Sequence, residues 1–136
     1  LRPKKTILCV DDNEQSLSIR KFMLQTRGYR VLTASGGEQA IAIFREGGIE
    51  LLLTDLVMPL MDGNELVRRI KRINPLIPAI VFSGTVKSYD RASHADAFTP
   101  KGVSIEDLLT RIRVMTARKR GPKKALPVVV AEQVPA

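Results

Sequence analysis

The sequence predicts an α/β fold: a doubly wound, five-stranded parallel sheet covered by helices on both faces. Three observations carry that expectation. Strand and helix signals alternate along most of the 136 residues, the pattern of units whose crossover helices cover a parallel sheet. The runs Thr6-Ile7-Leu8-Cys9-Val10 and Leu51-Leu52-Leu53-Thr54 are short, apolar and cut off sharply by polar residues, as buried strands are. Both runs end in acids, Asp11-Asp12 and Asp55. In an open sheet of this kind the crevice beyond the carboxyl ends of the strands is where ligands bind.

The elements follow in order. After the first strand, Asn13 can cap a helix containing Leu17, Ile19, Phe22, Met23 and Thr26, with Gly28 as its stop. Tyr29 to Thr33 reads as the second strand. Ser35-Gly36-Gly37-Glu38 has capping-box spacing before Ala40, Ile41 and Phe44, and Gly47-Gly48 ends that helix. The third strand leads to Asp55. A third helix follows, with Leu66, Val67, Ile70 and Ile73 inward and Arg68, Arg69, Lys71 and Arg72 largely outward; Asn74-Pro75 stops it. Pro78 to Ser83 is the fourth strand and Ala95 to Thr99 a shorter fifth. Ser104 caps a last helix whose apolar face is Ile105, Leu108, Leu109, Ile112 and Met115. Between Gly84 and Ala97 the helix signal is weak: Val86 and Tyr89 suggest one apolar face, but Ser88, Asp90, Ser93 and His94 are poor helix formers.

Composition bounds the reading. A chain with 44% hydrophobic residues can build one real core, and no apolar stretch is long enough to span a bilayer. Arg2, Lys4 and Lys5 lead straight into a strand, without the pattern of a secretion signal. Together with the lone Cys9 inside that strand, this suggests a cytoplasmic protein. One histidine and one cysteine cannot make a usual zinc site; His94 reads as a partly exposed surface residue. The net charge is +8, and residues 118–136 hold five Lys+Arg against one Glu, half of the excess. The sequence divides into a domain over residues 1–117 and a basic, Pro-containing C-terminal tail or truncated linker over 118–136. The run Arg118-Lys119-Arg120-Gly121-Pro122-Lys123-Lys124 reads first as a solvated end, with nucleic acid or an acidic partner as the sharper alternative.

Like charges at two strand ends are costly to gather unless a cation holds them together. Val10-Asp11-Asp12, Asp55-Leu56-Val57-Met58-Pro59 with Asp62-Gly63, Ser83 after Ala79-Ile80-Val81-Phe82, and Lys101 resemble the receiver domain of bacterial response regulators, in order and rough spacing, over about residues 5–117. The stretch from Asp55 to Gly63 is the specific part; an Asp pair or a lone Lys would be weak alone. The resemblance implies the flavodoxin-like strand order 2-1-3-4-5. It implies that Asp55 accepts a phosphoryl group as an acyl phosphate. Asp12 would ligate Mg2+ directly, Asp11 largely through water, and the backbone carbonyl of Val57 would be a further ligand. Lys101 would pair with the phosphoryl oxygens, Ser83 would donate its hydroxyl to them, and Ser83 with Phe98 would form the switch pair. Phe98 reads equally well as a core residue of a short strand.

Two departures from the family pattern stand out. The usual Lys-Pro is replaced by Pro100-Lys101-Gly102, with the proline on the other side; a proline there suits an edge strand. The segment between Ser83 and Phe98 is about one helical turn shorter than the family's, so a shortened fourth helix is expected. The expected function is a phosphorylation-controlled signalling receiver in a two-component phosphorelay. Its expected partners are a sensor histidine kinase or phosphotransfer protein and a downstream protein target, with homodimerisation left open. It would catalyse only its own phosphorylation and dephosphorylation. Rival readings are a receiver-like binding module that no longer takes phosphate, a nucleic-acid binder using Arg68 to Arg72 and the basic tail, and a Mg-dependent aspartyl phosphohydrolase. The last lacks the second carboxylate expected two residues after the nucleophile, where Val57 stands.

Overall fold

The elements run β1 (Thr6–Val10), α1 (Glu14–Gln25), β2 (Arg30–Ala34), α2 (Gly37–Arg45), β3 (Leu51–Asp55), α3 (Gly63–Ile73), β4 (Ala79–Ser83), β5 (Ala97–Pro100) and α4 (Ile105–Ala117). The computed structural model describes residues 5–84 and 93–117. The expected shortened helix around Val86 and Tyr89, and the tail beyond residue 117, lie outside the described residues. All strand pairs are parallel and the sheet order is β2-β1-β3-β4-β5. The chain runs outward from β1 to β2 and then returns to β3 on the other side of β1. The carboxyl ends of β1 and β3 therefore meet where the winding reverses, which is where such sheets open a crevice.

Strand side chains alternate between two cores, as the period of a strand requires. Leu8, Val10, Leu52 and Val81 face α2 and α3, where Ala40, Ile41, Phe44, Leu66, Val67 and Ile70 close the layer. Ile7, Cys9, Leu51, Leu53, Ile80 and Phe82 face α1 and α4, against Leu17, Leu24, Leu108, Leu109, Ile112 and Met115. β1, β3 and β4 are buried along their whole length, which is why they read as continuous apolar runs rather than alternating ones. Cys9 is one of these buried residues, and burial pushes its thiol up to about 12. No helix among the described residues is long and apolar enough to cross a membrane.

Asn13 caps α1 by accepting from the Ser16 N–H at 2.9 Å, and Gly28 adopts the left-handed φ of 94° that ends the turn into β2 at no Cβ penalty. Ser104 accepts from the Asp107 N–H at 3.1 Å at the start of α4. Several expectations are corrected. β2 and β5 begin one and two residues later than read, and β5 includes Pro100. That proline is tolerated because β5 is an edge strand. The expected capping box at Ser35 does not form. The N-cap of α2 is Gly36, with no side-chain cap. Instead Gln39 Oε1 accepts from the Ser35 N–H at 2.8 Å, and Glu38 turns to Arg69. Of the apolar residues on α1, Ile19 and Phe22 lie on the solvent side, and Ile73 of α3 is partly exposed. Lys71 does not point outward: its ammonium donates to the Ile77 carbonyl at 2.7 Å and to Asp96 at 2.8 Å. Asp96 also accepts from the Ala79 N–H at 2.8 Å. One carboxylate thus ties the end of α3 to the first residue of β4.

Candidate functional site

The site is assembled from strand ends. Asp11 follows β1, Asp55 closes β3, Ser83 closes β4 and Lys101 follows β5. Asp11 is fully buried and Asp55 nearly so, while Asp12 is exposed. Each of the three acids brings a carboxylate oxygen to within 4.8 Å of the others. Hard oxygen donors at that spacing suit a hard divalent cation such as Mg2+.

The pocket already contains positive charge. Lys101 Nζ lies 3.0 Å from Asp55 Oδ1. Burial raises the Asp55 carboxyl above its usual range, the hydrogen bond from Lys101 pulls it back, and the charges of Asp11 and Asp12 push it up again. Asp11 is held on both oxygens: Oδ1 accepts from the Asn13 N–H at 2.9 Å, and Oδ2 pairs with the guanidinium of Arg20 at 3.4 Å.

The rearranged Pro100-Lys101-Gly102 does not remove Lys101 from the site. Pro100 lies opposite Ser83 in the β4–β5 register, and the Lys101 N–H donates to the Ser83 carbonyl at 2.9 Å. The sheet pairing thus continues one residue past the proline, and it is this pairing that aims the lysine at Asp55. Ser83 is buried at the end of β4, one residue beyond Phe82, the neighbour of Asp55 across the sheet. Val57 sits at the exposed start of the β3–α3 loop, between buried Leu56 and Met58. Met58 and Met61 pack into the core. Phe98 stands opposite Val81 in the register and packs, partly buried, on the α2–α3 side of the sheet. His94 is exposed, and its backbone N–H donates to Asn64 at 2.8 Å.

The loop after Asp55 is held by short backbone contacts. Leu56 N–H donates to the Phe82 carbonyl at 2.8 Å, and Gly63 N–H to the Leu56 carbonyl at 2.7 Å. Asp62 caps α3 by accepting from the Glu65 N–H at 2.9 Å. A Cβ on Gly63 would lie 2.2 Å from the Asp55 carbonyl oxygen and 3.0 Å from Leu56 Cα. Only a glycine lets the helix start this close to the strand end.

Arg20 is the residue of the site that sequence reading missed. A signal was present: Leu17, Arg20 and Leu24 share the inward stripe of one helix, so a cation there must find a partner inside. Three of the four cations of α3, by contrast, are engaged with acids, while Arg72 is exposed. Arg68 and Arg69 bind Glu65, Arg69 also reaches Glu38, and Lys71 holds Asp96.

A three-acid cluster beside a lysine, at the switch point of a 2-1-3-4-5 sheet, defines a receiver-type α/β module. Residues 7–113 match the family model of the response regulator receiver domain, and the chain belongs to that family. It is 34% identical over 120 residues to the sensor kinase CckA of Brucella abortus (strain 2308), covering 84% of this chain and 13% of that protein. It is 31% identical over 116 residues to the transcriptional regulatory protein TrcR of Mycobacterium tuberculosis (strain ATCC 25618 / H37Rv), covering 82% of this chain and 45% of that protein. The chain therefore spans less than half the length of either relative. Among solved structures, a response regulator receiver domain protein from Clostridium thermocellum superposes with a TM-score of 0.78 at 32% identity, covering 83% of this chain and 94% of that one. The response regulator protein TrrA from Thermotoga maritima, solved in complex with Mg(2+)-BeF, gives a TM-score of 0.77 at 28% identity, covering 82% of this chain and 99% of that one. This is a receiver of two-component signalling.

Proposed function

We propose that Asp55 is the phosphoryl acceptor of this receiver, that Asp11, Asp12, Asp55 and the Val57 carbonyl hold Mg2+, and that Lys101 and Ser83 bind the transferred group. The observation that carries this reading is the buried Asp55 carboxylate, held on Oδ1 by Lys101 and gathered with two further acids. Lys101 orients the carboxylate and leaves Oδ2 to attack. The new bond joins Oδ2 to phosphorus, the bond from phosphorus to the donor breaks, and the donor leaves with that electron pair. Phosphoryl transfer of this kind depends on position and charge neutralisation more than on acid–base chemistry. Bound Mg2+ would supply part of that neutralisation. Lys101 stays beside the phosphoryl oxygens as a compact charge, and the Ser83 hydroxyl donates to one of them.

The donor class is a phosphohistidine of a sensor kinase or phosphotransfer protein, and the output is an altered contact with a protein target in the cytoplasm. The names of the relatives, a sensor kinase and a transcriptional regulator, support such partners. The domain catalyses only its own modification. Incubation with Mg2+ and acetyl phosphate, followed by intact-mass measurement, tests the reading. Wild type should gain one labile phosphoryl group, and Asp12→Ala should gain it far more slowly. An unmodified wild type, under conditions that modify a control receiver, refutes it.

A further inference from the structure

Arg20 is set into the acidic pocket from three sides. Leu17 and Leu24, both buried, fix the face of α1 on which it lies. Its guanidinium lies 4.6 Å from the centroid of the Phe82 ring, close enough for a cation–π contact. Its Nη1 pairs with Asp11 Oδ2, and the side chain is 14% exposed against 0% for Asp11. The ring belongs to the residue opposite Asp55 in the β3–β4 register, so the arginine is seated directly beside the reacting strand end. Lys101 neutralises Asp55 in the same way. Asp12 is the one acid of the three with no cation partner among the described residues. Three carboxylates thus face two fixed cations.

We infer that Arg20 is a built-in counter-ion of this pocket, which occupies Asp11 Oδ2 and thereby weakens divalent-cation binding. The inference rests on the reading of Asp11, Asp12 and Asp55 as the cation site. A buried carboxylate left without partners is costly, so Arg20 keeps Asp11 charged and in place before any metal arrives. The same guanidinium then repels an incoming dication and holds one of the oxygens that would face it. Arg20 is accordingly a positioning residue: it acts on the chemistry through Asp11.

The test is Mg2+ titration calorimetry on the unphosphorylated chain, wild type against Arg20→Met, with Arg20→Lys as the charge-retaining control. Removing one unit charge about 6 Å from a dication should tighten Mg2+ binding at least roughly tenfold, the value reached even at a water-like dielectric of about 80. Arg20→Lys should stay within about threefold of wild type, since the charge is retained. The Mg2+ dependence of the thermal midpoint supplies a readout that a packing role would not move. Arg20→Met should melt below wild type without Mg2+, and the gap should close as Mg2+ is added, because the metal replaces the lost counter-ion. Arg20→Gln gives the same comparison where the Met variant does not fold. Equal affinities, with a gap in midpoint that is constant across the Mg2+ series, overturn the inference and leave the cation site standing. Absence of Mg2+ binding in wild type and variants alike overturns the cation-site reading, and the inference with it.

Discussion

Gly63→Ala adds a single methyl group at the point where α3 meets the end of β3. Its Cβ would stand 2.2 Å from the Asp55 carbonyl oxygen, 3.0 Å from Leu56 Cα and 3.1 Å from the Asp55 carbonyl carbon. All three are backbone atoms, so no rotamer change relieves the clash. The closest contact is about 1 Å short of an ordinary one. The helix must move off the strand by a comparable distance, stretching the 2.7 Å bond from Gly63 N–H to the Leu56 carbonyl and shifting the loop that carries Val57. Overpacking typically costs 1–3 kcal/mol, and a clash with main chain belongs at the upper end, about 3 kcal/mol in urea denaturation. Displacement near 1 Å at a reacting group can also slow transfer by roughly a hundredfold, which a time course of phosphorylation by acetyl phosphate would report. A variant within about 0.5 kcal/mol of wild type and phosphorylated at the same rate would refute this account of the β3–α3 junction.

Further outcomes follow from single residues. Leu60 is fully exposed with a φ of 72°, so Leu60→Gly should stabilise the chain by about 0.5 kcal/mol, relief of left-handed strain exceeding the entropy of glycine; unchanged or reduced stability would contradict it. Asp96→Ala removes the acceptor of the Ala79 N–H and leaves Lys71 with the Ile77 carbonyl alone, and should cost about 2 kcal/mol; a loss under about 0.5 kcal/mol would mean that water replaces the carboxylate freely. Hydrogen bonds from Arg68 and Arg69 lower the Glu65 carboxyl from 4.5 to about 2. Its folded value lies below its unfolded one, so its contribution is present above pH 4.5 and is lost as pH falls toward about 2. Glu65→Gln should therefore melt below wild type at neutral pH, with the difference closing through that acid window; a difference independent of pH would remove the ion-pair explanation.

The fold was legible wherever local pattern and burial agree. β1 and β3 are short apolar runs because both of their faces are covered, and Asn13, Gly28 and Ser104 punctuate helices by chemistry that needs no tertiary partner. The acids of the site were legible because strand ends and the Met58-Pro59 context place them. What the sequence concealed depends on distant partners. Lys71 meets Asp96 from 25 residues away, so it read as a surface charge. Ser35 finds Gln39 rather than Glu38 because α2 starts after Gly36. The displaced proline gives no local sign of where Lys101 points, and it is a backbone bond to Ser83, across the sheet, that aims it at Asp55. Arg20 lay on a legible inward stripe, but only the packing of α1 on the sheet brings it to Asp11.

The central claim is that Asp55 carries the phosphoryl group, and chemical localisation tests it most directly. After treatment with Mg2+ and acetyl phosphate, borohydride reduction converts an aspartyl phosphate to homoserine, and peptide mass spectrometry locates the converted residue. The account predicts conversion at position 55 in wild type and no converted residue in Asp55→Asn. Conversion at Asp11 or Asp12 with Asp55 intact, or none at all in a protein shown to be folded, would contradict it.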